Sequence, residues 1–495
     1  MRNQGLFSPL RWFSAFFLLA ALILTAIQLV SYSRVQANFP AGMDIAGIPV
    51  GGLDRQRAAQ RLLEAYSIPV ELEYNQALIQ VTPNIVEFEL DLEKMLAAAD
   101  LQRSQKLFWE GFWDYLWNRS SEPVRIPLRY EYSESRLRVY LEQEVARRYD
   151  QPPIPARPAV GTVNFQPGVP GTTLDIDGSI RLIENALQSL TRRSVVLPLR
   201  RSDPPRPAFQ NLKVLLQQTV DLSGFDGIAG VYLLDLQTAQ ELQFEYQQGE
   251  ELASQPDVAY TASSIIKIPI MISVFRRFGD DPDDESLKLL NDMITKSGNE
   301  TADWLMERVI DETRAPLLVT DDMNLLGLQN TFMAGYFSIG SPLLARIQTP
   351  SNLRSDVNTD PDPYSQTTPS EIGMLLADIY QCAQNGGSAL TAVFPGEITQ
   401  AECQSMIEYL KNNKLPVLLT AGIPETMQIA HKHGWVSDIN GVINTIGDAG
   451  LIYTPGGNYV LVIFLNHPVQ LVWEPASNLI ADMSRAVYNF YNLPE

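Results

Sequence analysis

Ser264 and Lys267 stand three residues apart in the run Y-T-A-S-S-I-I-K-I-P-I. At the start of a helix this spacing sets a hydroxyl and an amine one turn apart on one face, where the amine can take the hydroxyl's proton and leave a nucleophile. A helix N-terminus also offers unpaired backbone N–H groups and the positive end of the helix dipole, both favourable to a developing oxyanion. Two later runs carry complementary groups. L-L-N-D-M-I-T-K-S-G-N-E-T-A-D-W-L-M holds Ser297 and Asn299 between two helical stretches. There a hydroxyl can relay a proton to a leaving nitrogen, and a side-chain amide can hydrogen-bond an acyl-amide. A-H-K-H-G-W-V predicts a strand carrying Lys432 and Gly434, the lysine supplying charge for a carboxylate and the glycine letting backbone approach a ligand.

The elements that must position these groups are legible nearby. The runs I-A-G-V-Y-L-L-D-L from 228 and Q-E-L-Q-F-E-Y after a short turn predict an antiparallel hairpin with no parallel crossover. The S-I-I-K turn leads into the apolar helix I-P-I-M-I-S-V-F, and the strand-like runs I-N-T-I-G-D-A-G-L-I-Y and Y-V-L-V-I-F-L follow the K-H-G run. R-S-D-P-P-R-P at 201–207 reads as a linker, so the domain holding all three runs is expected at 208–495.

In the order S-I-I-K, S-G-N, K-H-G, these motifs resemble the S-x-x-K, S-D-N, K-T-G signature of class A β-lactamases and penicillin-binding proteins. The resemblance extends over 208–495 and includes T-T-P-S-E-I-G-M-L-L-A-D-I-Y, similar to the helix after that family's omega loop. It implies Ser264 as the acylated nucleophile, Lys267 as its proton acceptor, Ser297 with Lys432 as the proton shuttle, and Asn299 as ligand of the acyl-amide. The oxyanion hole would be the N–H groups of Ser264 and Trp435. His433 and Gly434 complete the implied substrate-binding set.

Three departures from the family pattern matter. Gly298 replaces the usual Asp, His433 replaces Thr or Ser, and no E-x-x-L-N pattern lies between Leu326 and Thr367, a stretch without any glutamate. Its carboxylates Asp356, Asp360 and Asp362 read as solvated loop positions. The family's deacylating base is therefore not identified, and a persistent acyl-enzyme is expected.

Ahead of this domain, the 495 residues leave room for more than one further core. Phe13 to Val30 is apolar apart from Ser14, Thr25 and Gln28, predicting a membrane span over 10–32 with a cytoplasmic tail at 1–9, since Arg2 and Arg11 precede it. A cleaved signal peptide ending near Val35 and Ala37 is the competing reading. Residues 38–200 read as two α+β units separated by the proline-rich 151–158, with Asp54 as N-cap of the first helix. The runs G-I-P-V-G-G-L-D and F-Q-P-G-V-P-G-T-T-L-D resemble the peptidoglycan-binding domain that often precedes L,D-transpeptidase domains. That resemblance implies a cell-wall partner, against the plainer reading of a spacer. Between the units, Phe108, Trp109, Phe112, Trp113 and Leu116 recur at helical spacing and predict one buried helical face.

The fold class expected is thus multidomain: an N-terminal transmembrane helix, an α+β wall-binding region, and an α/β β-lactamase-like domain with an antiparallel sheet flanked by helices and an all-helical lobe. A net charge of −20 disfavours nucleic acid and anionic lipid headgroups. With only two cysteines and three histidines no zinc-type cluster can be assembled, and no cofactor is expected. Cys382 and Cys403 are either one disulfide or two buried thiols. The resulting expectation is a single-pass protein of the cytoplasmic membrane, its bulk exported, acting as a serine acyl-enzyme hydrolase that opens a β-lactam amide in β-lactam catabolism and antibiotic resistance. Alternatives are a penicillin-binding D-Ala-D-Ala peptidase-like enzyme with slow deacylation, and a non-catalytic wall-binding protein.

Overall fold

The structure is a computed structural model that describes residues 9–119, 122–279, 282–437 and 440–493. Residues 1–8, which hold Arg2 and most of the expected cytoplasmic tail, lie outside the described residues. The chain forms two units, one comprising residues 1–153 and 170–203 and the other 154–169 and 204–495.

The first unit opens with α1, Pro9–Gln36, of which Trp12–Gln36 is long and apolar enough to cross a membrane. In α2, Arg55–Tyr66, the Asp54 carboxylate accepts from Arg57 N as the sequence predicts. The α+β runs do not form two separate units. Strand β1 (Val70–Tyr74) pairs antiparallel with β2 (Ala77–Val81) and, in parallel, with Ser194–Val196 from the far side of the proline-rich segment. One core joins Leu62 and Leu72 to Ile183, Leu187 and Val195. Each half is too small to bury its own apolar face, so the halves share a sheet. Residues 154–169, sequentially inside the 38–200 region, instead pack in the second unit, where Phe165 meets Phe490 at 5.9 Å.

In the second unit a six-stranded antiparallel sheet places β3 (Ile228–Asp235) beside β4 (Glu241–Gln247) on one side and β7 (Tyr459–Asn466) on the other. Beyond β7 come β6 (Ile443–Tyr453) and the edge strand β5 (Gln428–Ser437). Every residue of β3 and β7 is buried, because helices cover both faces. Side chains alternate accordingly: Val460, Val462 and Phe464 face the core that holds α3 (Lys267–Phe278) and α4 (Pro369–Asn385). Leu461, Ile463 and Leu465 face the core of the helices Phe209–Ser223 and Trp473–Tyr491. The helices Asp284–Thr295, Asn299–Val309 and Ala315–Leu325 build the helical lobe. Cys382 and Cys403 form a disulfide that ties α4 to the helix Gln400–Lys411.

Candidate active site

Ser264 lies in a 3-10 turn, Ser263–Ile266, that runs directly into α3. Pro269 falls within the first turn of α3, where its missing N–H has no intrahelical partner to lose. Ser263 is held at φ 50°, a left-handed conformation that is strained for a residue with a side chain and that sets the sharp entry to the turn. Ser297 has the same character at φ 56°, in the short link between the helices ending at Thr295 and beginning at Asn299.

The three sequence motifs converge on one amine. Lys267 Nζ lies 2.8 Å from Ser264 Oγ, 2.8 Å from Asn299 Oδ1, 2.9 Å from the Ser297 carbonyl and 3.4 Å from Ser297 Oγ. From the edge strand β5, Lys432 Nζ reaches Ser297 Oγ at 3.0 Å and the His433 carbonyl at 3.0 Å. Ser297 Oγ therefore stands between the two lysines.

Both lysines are fully buried. Burial, reinforced by the neighbouring Lys432 charge, pushes the Lys267 ammonium down to about 6, with Asp303 acting weakly the other way. Burial lowers Lys432 to about 7, opposed by the carboxylate of Asp448. A neutral Lys267 has two N–H groups and one lone pair. Asn299 Oδ1 and the Ser297 carbonyl can accept the two N–H groups, which leaves the lone pair to Ser264 Oγ.

Strand β5 approaches Ser264 closely because residue 434 is glycine. A Cβ there would lie 2.9 Å from Ser264 N and 3.0 Å from the Ala262 carbonyl, both of them backbone. Trp435 and Ser264 line the same cavity of about 340 Å³, together with Asn299, Tyr336, Phe337 and Asp362. His433 is turned elsewhere: it is buried, stacked on Trp435 at 5.0 Å, and absent from that cavity's lining. Its Nδ1 takes the Asn413 amide at 3.1 Å, which assigns the ring proton to Nε2. Burial and then the Lys432 charge push its pKa down to about 3, so the ring is neutral.

Several contributors carry no sequence signal. Asp303 accepts from Phe337 N at 2.9 Å, Ser338 N at 2.8 Å and Ser338 Oγ at 2.7 Å, pinning the loop that forms one cavity wall. This loop brings the Phe337 ring to 4.8 Å from Lys267 Nζ. Asp356 and Asp360 are exposed, as expected for loop carboxylates. Asp362 departs from that expectation. It is half-buried in the cavity wall, accepts from Tyr364 N at 2.9 Å, and its pKa is raised by burial. The tight return of the loop into the strand Ser365–Thr367 turns it inward. Among the described residues no group of three or more His, Cys, Asp and Glu side chains is arranged to hold a metal ion.

Residues 280–491 match the model of the beta-lactamase enzyme family, a span that includes the S-G-N and K-H-G runs and begins after S-I-I-K. Residues 79–195 match the family described as "Putative peptidoglycan binding domain". Solved structures similar to the chain include PBP-A, at 21% identity and TM-score 0.41, covering 58% of this chain and 98% of that one. The class A beta-lactamase of the last common ancestor of Gram-negative bacteria shares 20% identity at TM-score 0.39, covering 56% and 98%. A beta lactamase from Xanthomonas campestris pv. campestris shares 17% at TM-score 0.39, covering 56% and 96%. No curated protein matches. The C-terminal region of this chain thus matches the beta-lactamase enzyme family model, and a match to the peptidoglycan-binding domain model precedes it.

Proposed function

We propose that the C-terminal domain is a serine acyl-enzyme hydrolase in which Lys267 activates Ser264 to open a β-lactam amide. The observation that carries this reading is the 2.8 Å approach of a lysine amine, lowered to about 6, to the serine oxygen. At pH 7 such an amine is mostly neutral and can accept the Ser264 proton as Oγ attacks the carbonyl carbon. The carbonyl oxygen becomes an oxyanion, received by the N–H groups of Ser264 and Trp435. The proton now on Lys267 passes through Ser297 Oγ to the β-lactam nitrogen as the C–N bond breaks, leaving an ester on Ser264. Lys432, in contact with Ser297 Oγ, favours the transfer by its charge. Asn299 Nδ2 remains for the acyl-amide, since Oδ1 is engaged with Lys267.

A second reading, a penicillin-binding peptidase-like enzyme that releases its acyl group slowly, is favoured by the stretch from 326 to 367, which lacks glutamate. Asp362 is the one carboxylate among the cavity-lining residues able to orient a deacylating water. The third reading, a wall-binding protein without chemistry, has no use for a buried, neutralised lysine against a serine. Anchoring by α1 and wall contact through the preceding domain would keep the site outside the cytoplasm, near its substrates.

Turnover of a chromogenic cephalosporin separates these readings. Hydrolysis that is lost in Ser264→Ala and reduced in Asp362→Asn supports the β-lactamase reading. One equivalent of bound chromophore fragment without further turnover supports the second. Neither hydrolysis nor labelling in wild type contradicts both.

A further inference from the structure

The helix α5, Phe108–Leu116, does not bury the aromatic face that its spacing predicts. Phe112 is buried, but Trp109, Trp113 and Trp117 are 62, 56 and 70% exposed. Trp109, Trp113 and Leu116 lie at i, i+4 and i+7 and Trp117 is one further step round, so together they form one outward apolar stripe. Phe108, Phe112 and Tyr115 face the other way, around Tyr32 of α1, with ring centroids 5.3, 5.6 and 5.4 Å away. Gly111 makes this seat: a Cβ there would come within 2.0 Å of the Tyr32 hydroxyl.

Tyr32 marks a depth. With about 1.5 Å of rise per residue, Trp12 and Tyr32 stand about 30 Å apart along α1, the thickness of a bilayer's hydrocarbon core. Aromatic residues at both ends of a span take the headgroup level. A helix seated on Tyr32 therefore lies at the outer membrane–water boundary. Its charges balance: Lys106 and Arg119 flank Asp114, at 2.5 and 3.7 Å, and Glu110 is the remaining carboxylate. Attraction to anionic lipid is thus not required, in keeping with a chain of net charge −20.

We propose that the Trp109, Trp113, Trp117 stripe of α5 docks into the headgroup boundary of the bilayer that α1 spans, fixing the first unit against the membrane surface. The proposal rests on α1 remaining as a span. Interfacial aromatic helices of this kind bury their apolar face at the boundary between headgroups and acyl chains.

The full chain in phosphatidylcholine vesicles tests this by nitroxide labelling, for which the paired Cys382 and Cys403 leave no competing free thiol. Labels are placed singly at Trp113→Cys, at Trp109→Cys as a second site on the stripe, at Asp114→Cys on the charged side, and at Ala21→Cys within α1. Relaxation by oxygen is expected to exceed relaxation by a water-soluble nickel chelate at 21, 109 and 113, and the order to reverse at 114. Nickel-dominated relaxation at 109 and 113 with oxygen-dominated relaxation at 21 overturns the docking alone. Nickel-dominated relaxation at 21 as well overturns the span with it. Protection at 113 that appears only on adding soluble peptidoglycan fragments, or that weakens as the protein is diluted in lipid, assigns the stripe to glycan or to a second copy and also overturns the proposal.

Discussion

Lys267 carries two signed consequences. With its pKa lowered from 10.5 to about 6, the acylation rate by a penicillin should rise with pH through about 6, where the lone pair becomes available. Part of the lowering comes from the Lys432 charge. Lys432→Met should therefore move that acid limb to higher pH, while cutting acylation by roughly 10²–10³-fold through loss of the Ser297 partner. Stopped-flow labelling across pH 5 to 9 reads both, and an unmoved limb contradicts the assignment of Lys267. The same shift enters stability. Between about 6 and 10.5 the unfolded chain binds more protons at this residue than the folded one, so folding is increasingly favoured as pH rises through that window. Denaturant unfolding of wild type should show this positive slope relative to Lys267→Met. At Gly434, alanine would drive a methyl against the Ser264 backbone, and acylation should fall by at least about 10²-fold, because a displacement of about 1 Å at the nucleophile is enough to do so.

The link between the helices ending at Thr295 and starting at Asn299 delivers two of the motif residues, and its partner loop is held by Asp303. Asp303→Ala leaves the Phe337 and Ser338 N–H groups without their acceptor, which should cost about 2–4 kcal/mol and release their amide protection in hydrogen exchange. Cys382→Ser, by opening the disulfide between two helices of the same domain, should cost about 3 kcal/mol, measured by denaturant unfolding with and without reductant. The motif residues were legible because short-range spacing and secondary structure announce them: S-I-I-K fits a helix entry, S-G-N a helix link, K-H-G a strand. Asp303, Phe337 and Asp362 were not. Their roles depend on which loop returns to which helix from over thirty residues away, and an aspartate in a helix or loop looks solvated until that return is known. His433 shows the same limit, since its ring orientation is decided by Asn413, twenty positions earlier and on no motif.

For the molecule as a whole, the sequence pattern was sufficient for the antiparallel sheet between helices, where β-strand alternation is unambiguous, and insufficient for the α+β region that precedes it. There the parallel pairing of Val70–Tyr74 with Ser194–Val196 joins segments more than a hundred residues apart, which no local period encodes. Likewise the amphipathic pattern of α5 identifies an apolar face without naming what covers it. A chain lacking residues 1–36 should lose flotation with vesicles while keeping its acylation rate, because the site is built wholly within the second unit. Acylation of Ser264 activated by Lys267 is read most directly by peptide-mapping mass spectrometry after brief incubation with benzylpenicillin. A penicilloyl mass is expected on the peptide that contains Ser264, absent in Ser264→Ala and strongly diminished in Lys267→Met. An adduct on any other peptide, or one that persists in Ser264→Ala, would contradict that assignment.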